Sequence, residues 1–168
     1  LGAMQHNRKL HLRVIEKAKE KQVDLLIFPE LSLTGYHLLD LTYEVASSVQ
    51  DEIVQELVTQ ASGLDLAFGL VESDSHHFIY NSAIYASQGR ILHVHRKVYL
   101  PTYGMFDEAR YFRAGDTINS FMTPYGKIGI LICEDALHVS MPYLLALDGA
   151  QIILVMSNSP TRVTSLDG

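Results

Sequence analysis

Apolar positions recur at two periods along this chain, and the switching between them predicts its elements. Leu10, Val14, Ile15 and Ala18 repeat at helical spacing, which predicts an amphipathic helix over residues 7 to 21 with Asn7 as its N-cap. Asp24 to Phe28 is a short apolar strand whose ladder Pro29 ends. Ser32 to Tyr43 reads as a loop with a Thr34-Gly35 turn. Val49, Ile53 and Leu57 then mark a second helix to about Ala61, stopped by Gly63. Leu66 to Val71 is the next strand. Phe78 to Ala86 and Ile91 to Val98 are two more, joined by the hairpin signal Ser87-Gln88-Gly89-Arg90. Strict alternation puts Ile91, His93, His95, Lys97 and Tyr99 on one face of that last strand. A long loop from Tyr99 to about Thr117 carries Tyr103, Phe106, Tyr111 and Phe112, an aromatic content that argues for order and function. A second hairpin, Ile118 to Thr123 and Lys127 to Ile132, turns at Pro124-Tyr125-Gly126. A helix around Met141 to Leu147 and a buried strand from Gln151 to Met156 follow. Helices interleaved with antiparallel hairpins predict an α/β fold with mixed sheets under helices rather than a purely doubly wound sheet.

The length of 168 residues and the 48% apolar content suit one domain, residues 1–168, with a substantial core. The net charge of −6 and the lack of a basic run argue against nucleic acid as a partner. No apolar stretch approaches the roughly 20 residues a membrane helix needs. One cysteine cannot make an internal disulfide, so a cytoplasmic location is expected. The opening Leu1-Gly2-Ala3 and the close at Leu166-Asp167-Gly168 lead us to expect a domain incomplete at both ends.

That one cysteine, Cys133, ends the apolar run Gly129 to Ile132 and precedes Glu134 and Asp135. On position alone it is either core filler or a nucleophile. A strand-to-helix turn there would expose the thiol beside free backbone N–H groups. An ordinary thiol is mostly protonated near neutrality, so it needs a base or a cation beside it. Glu30, directly after a strand and a proline, can be that base, or a solvated loop carboxylate. Lys97, at another strand end, can stabilise an oxyanion, or can be a surface amine. Covalent attack on a carbon–nitrogen bond needs these three groups together.

The wording of three segments joins them. Phe28-Pro29-Glu30-Leu-Ser-Leu-Thr34-Gly35-Tyr36, then Arg96-Lys97 with Leu100-Pro101, then Ile132-Cys133-Glu134-Asp135, closely resembles the nitrilase superfamily of carbon–nitrogen hydrolases. The resemblance implies a four-layer α-β-β-α sandwich, a Glu-Lys-Cys triad at Glu30, Lys97 and Cys133, and no cofactor or metal. It also implies a small-molecule amide and water as reactants and a homo-oligomer. Tyr103 to Phe112 is similar to the segment after the lysine in the glutamine-hydrolysing domains of NAD synthetases, and so is Cys133-Glu134-Asp135. By that likeness Tyr103, Phe106 and Ser159 shape the substrate pocket, and Glu108 is a second glutamate orienting Lys97 or substrate. The backbone N–H of Glu134 joins Lys97 at the oxyanion. Without the resemblance, Glu108 reads as a surface charge on a loop. The pattern departs at His37, where a proline often stands.

Other readings stay open from sequence. Nitrile hydrolysis, carbamoyl cleavage and acyl transfer all share the first thioester. A non-catalytic assembly module would expose apolar sheet surface. His93 and His95 have a spacing that can ligate zinc, with His76-His77 in the preceding turn. No further ligand stands at fixed spacing, so a packed or solvated strand is preferred.

Overall fold

The computed structural model describes residues 2–159. Helix α1 spans Met4–Glu20 and strand β1 spans Leu25–Ile27. Helix α2 (Glu52–Gln60) and strand β2 (Asp65–Ser73) follow. Strands β3 (Ile79–Ser87) and β4 (Arg90–Arg96) form the first hairpin, and β5 (Phe121–Thr123) and β6 (Gly126–Ile132) the second. Helix α3 (Ser140–Leu147) and strand β7 (Ile152–Met156) complete the set.

The strands form two mixed sheets. In one, the order is β1-β2-β3-β4, with β1 parallel to β2 and the rest antiparallel. In the other, the order is β5-β6-β7, with an antiparallel hairpin and a parallel β6–β7 pair. Period-2 side chains then sort the core into layers. Leu66, Phe68, Leu70 and Ile84 face Ile15, Val54 and Leu57 of α1 and α2. Ala67, Ala83 and Tyr85 face the other way, against Ile128, Ile130, Ile132 and Met156 of the second sheet. Leu131 packs on Met141 and Leu145 of α3. The result is helix, sheet, sheet, helix, as expected from the sequence.

Three expectations change. Helix α1 begins at Met4 with Ala3 at its N-cap, so Asn7 is not the cap. Its amide donates to the Leu33 carbonyl at 3.0 Å instead, and this tertiary contact holds the loop after β1. The buried stripe of α1 is His11, Ile15 and Ala18, while Leu10 and Val14 are exposed. A histidine reads as polar in a hydropathy pattern, so its place in the stripe was hidden. Finally, a β-bulge interrupts the β3–β4 register between Tyr85 and Ala86. The extra residue turns Ile91 toward the helix-side core with Val94, away from His93 and His95.

Candidate active site

Pro29 leads the chain out of β1 into a tight reversal, with Leu31 at φ +48°. This reversal lies directly on Gly69 of β2. The Leu33 N–H donates to the Gly69 carbonyl at 3.0 Å, and a Cβ at Gly69 would stand 3.0 Å from both the Glu30 carbonyl carbon and the Pro29 oxygen. Only a residue without a side chain permits that approach. Ser32 pins the far side. Its hydroxyl donates to Nε2 of His11 at 3.0 Å and accepts from the Gly69 N–H at 3.3 Å, while His11 Nδ1 donates to the Asn7 carbonyl at 2.8 Å. Burial pushes the His11 imidazole below its usual range, which suits this neutral tautomer.

Glu30 is therefore turned inward and is 1% exposed. Its Oε1 accepts from Lys97 Nζ at 2.8 Å and from Asn81 Nδ2 at 2.8 Å; its Oε2 accepts from the Asn158 N–H at 3.1 Å. Lys97, just past β4, is also 1% exposed. Its N–H donates to the Asn81 carbonyl at 2.9 Å and its carbonyl accepts from the Gly115 N–H at 2.8 Å. Its ammonium also donates to Glu108 Oε1 at 2.7 Å. Glu108, in a short 3-10 turn (Glu108–Arg110), is 4% exposed and takes a further hydrogen bond from the Tyr36 hydroxyl. Neither glutamate is the solvated loop carboxylate that position alone allowed, and Lys97 is not a surface amine.

Two buried carboxylates thus share one ammonium. Burial works against the Lys97 charge, but Glu30 and Glu108 outweigh it and raise its pKa, so the amine stays protonated through neutral pH. Glu108 moves up as well, because burial exceeds the help from Lys97, and its Oε2 has no partner. Burial first, and the Glu108 contact second, push the Tyr36 phenol far above its ordinary range, so it remains a donor.

Cys133 opens a 3-10 helix (Cys133–Leu137) directly at the end of β6 and has φ +45°, the left-handed region an L side chain rarely occupies. The thiol is partly exposed and lines a cavity of about 430 Å³. Tyr103, Phe106, Glu134 and Ser159 line the same cavity, together with Tyr36 and Asn158. Ser159 Oγ lies 3.6 Å from Cys133 Sγ and 2.7 Å from Ser157 Oγ. Adjacent residues therefore touch the two key groups: Asn158 holds Glu30 and Ser159 meets Cys133. Tyr36 joins the same wall to Glu108. In the cavity wall the Tyr103 hydroxyl donates to Glu134 Oε2 at 2.7 Å.

Sequence reasoning gave no role to Asn81, Tyr36 or Asp135. Asn81 carried one usable signal, an amide inside a largely apolar strand. The strand histidines do not form a metal centre. His95 Nε2 donates to Asp135 at 2.9 Å and His93 stacks on Phe121 at 4.4 Å. Among the described residues no three His, Cys, Asp or Glu side chains converge, and no helix is long and apolar enough to cross a membrane.

The model of the carbon–nitrogen hydrolase family matches residues 2–166. The chain belongs to that family. The glutamine-dependent NAD(+) synthetase of Thermotoga maritima is 34% identical over 168 residues, covering 97% of this chain and 29% of that protein. The solved structure of glutamine-dependent NAD+ synthetase from Acinetobacter baumannii superposes with a TM-score of 0.85 at 33% identity, over 97% of this chain and 31% of that one. A carbon–nitrogen hydrolase from Helicobacter pylori shares the fold with a TM-score of 0.84 at 23% identity, over 97% of this chain and 58% of that one. The chain thus spans a little under a third of the length of the synthetases it matches.

Proposed function

We propose that this chain is a thiol amidase unit that releases ammonia from a carboxamide of the glutamine type, with Cys133 as nucleophile, Glu30 as base and Lys97 as electrostatic helper. The observation that carries this reading is the pairing just described: one peptide segment, Asn158-Ser159, contacts both the buried Glu30 carboxylate and the partly exposed Cys133 thiol. Glu30 Oε1 is occupied by Lys97 and Asn81, so Oε2, which accepts a single hydrogen bond from the Asn158 N–H, is the oxygen left to act as base.

The chemistry runs in two halves. Glu30 Oε2 takes the thiol proton as Sγ attacks the amide carbon, and the carbonyl oxygen becomes an oxyanion. Lys97 and the N–H of Glu134, which has no acceptor inside its own helix turn, stabilise that charge. The intermediate collapses, the carbon–nitrogen bond breaks, and Glu30 returns its proton to the departing nitrogen. A thioester remains on Cys133. Water then attacks it, Glu30 takes one proton from the water, and collapse expels the sulfur, which recovers that proton. No metal or cofactor is needed for either half. Tyr103, Phe106, Glu134 and Ser159 form the substrate walls. The single cysteine supports a cytoplasmic location. Exposed Leu137, Val139, Tyr143 and Leu147 support self-association into a homo-oligomer.

Ammonia release from glutamine, short aliphatic amides, carbamoyl amino acids and nitriles tests the proposal. Glutamine should lead the panel, and Cys133→Ala should lower the rate by at least about 1,000-fold. Wild-type ammonia release by Cys133→Ala would end the reading. A panel led by nitriles or carbamoyl compounds would replace its substrate class.

A further inference from the structure

Asp135 lies two residues beyond the proposed nucleophile and is fully buried. Its carboxylate accepts four hydrogen bonds, which divide between two strands. Oδ2 accepts from the Ile132 N–H at 3.1 Å and from His95 Nε2 at 2.9 Å; Oδ1 accepts from the Val98 N–H at 3.0 Å and the Tyr99 N–H at 2.9 Å. Ile132 immediately precedes Cys133, and Val98 immediately follows Lys97. One side chain therefore ties the end of β6 to the end of β4, which lie in different sheets. No backbone ladder joins β4 and β6, since β4 pairs only with β3 and β6 only with β5 and β7.

We infer that Asp135, oriented by His95, is a positioning residue that fixes the placement of Cys133 relative to Lys97 and holds the left-handed turn at Cys133. The inference rests on the amidase reading for its rate effects but not for its geometry. A backbone held at φ +45° persists only where its surroundings over-determine it, and here the constraint nearest to the turn is the Asp135 carboxylate. His95 supplies the one side-chain donor among the four. It is 2% exposed and lies two residues before Lys97, so the segment that leads into the amine also orients the clamp. Four N–H donors converge on the carboxylate. An asparagine there has one acceptor oxygen, and its NH₂ would face donors. Misplacement by about 1 Å at a reacting pair can cost about 100-fold in rate.

Four variants test this: Asp135→Asn, His95→Gln, His95→Phe and, as the reference for the reading itself, Cys133→Ala. The readouts are kcat and KM for ammonia release, the melting temperature, and the rate at which iodoacetamide alkylates Cys133, the protein's one thiol. Asp135→Asn should lower kcat by about 100-fold with KM within about threefold, and slow alkylation by about tenfold. His95→Phe fills the site without a donor and should lower kcat by about tenfold. His95→Gln keeps an N–H near the same place and should restore most of that loss. Should Asp135→Asn fail to fold, the Phe–Gln comparison at His95 decides. Folded Asp135→Asn and His95→Phe proteins with wild-type kcat and alkylation overturn the inference. So does a lowered melting temperature with unchanged turnover per folded molecule, which is the mark of a purely structural clamp. If Cys133→Ala retains activity, the amidase reading fails, and the alkylation rates still judge Asp135.

Discussion

Gly69→Ala is a one-methyl change with opposing consequences, and the structure says which wins. In the unfolded chain an alanine has fewer conformations than a glycine, which would favour folding by about 0.4–1 kcal/mol. In the folded protein the new methyl carbon would stand 3.0 Å from the Glu30 carbonyl carbon and the Pro29 oxygen, and closer still to the Leu31 nitrogen. These are backbone atoms in a reversal pinned by His11 and Ser32, so none can swing aside. Relief requires the reversal to move off β2 by about 1 Å, and overpacking of this kind costs about 1–3 kcal/mol. The clash therefore outweighs the entropy gain, and the net loss should be about 1–2 kcal/mol. Because the displaced residues include Glu30, turnover per folded molecule should also fall, by about 100-fold. Urea denaturation followed by circular dichroism gives the first number and ammonia release the second. Gly104→Asn is the control for stability. Gly104 has φ +64° and open space around its Cβ position, so it should stay within about 0.5 kcal/mol of wild type. A Gly69→Ala protein with wild-type stability and turnover would refute the claim that this glycine seats Glu30.

Lys97→Met removes the ammonium between two buried carboxylates and should cost about 3–5 kcal/mol in a urea titration, part of it returned by adding Glu30→Gln. The single variant should also gain stability on mild acidification, because Glu108, already pushed up by burial, can take a proton in place of the lost cation. Burial, with a smaller contribution from His95, pushes His93 down to about 4. Its contribution is complete above about pH 6.5, the unfolded value, and is lost as the pH falls from there toward 4, since only the unfolded chain binds the proton. His93→Gln should flatten that part of the urea midpoint against pH; an unchanged slope would count against it.

Local pattern made the elements legible. Periods of 2 and 3.6 located seven strands and three helices within a few residues of their observed ends, and Gln88-Gly89 marked a hairpin whose backbone has φ +50° and +73°. The family wording pointed to Glu30, Lys97 and Cys133. The pattern failed where a polar side chain works inside the fold. His11 faces the core, Asn7 braces a loop, and Asp135 joins two sheets. It also failed at the bulge that turns Ile91 away from His93, since one inserted residue leaves no mark in composition.

The sequence by itself determined which segments form strands and helices. It also determined that an acid, an amine and a thiol each stand where a strand ends. Tertiary structure alone decided that the acid and amine are buried and paired, that Glu108 joins them, and that Asp135 spans the sheets. The physical reason is that burial and pairing are properties of positions 67 and 37 residues apart in the chain. Hydropathy registers a residue's own preference for water. Whether a carboxylate keeps its charge in the interior depends on which distant donors the fold delivers to it.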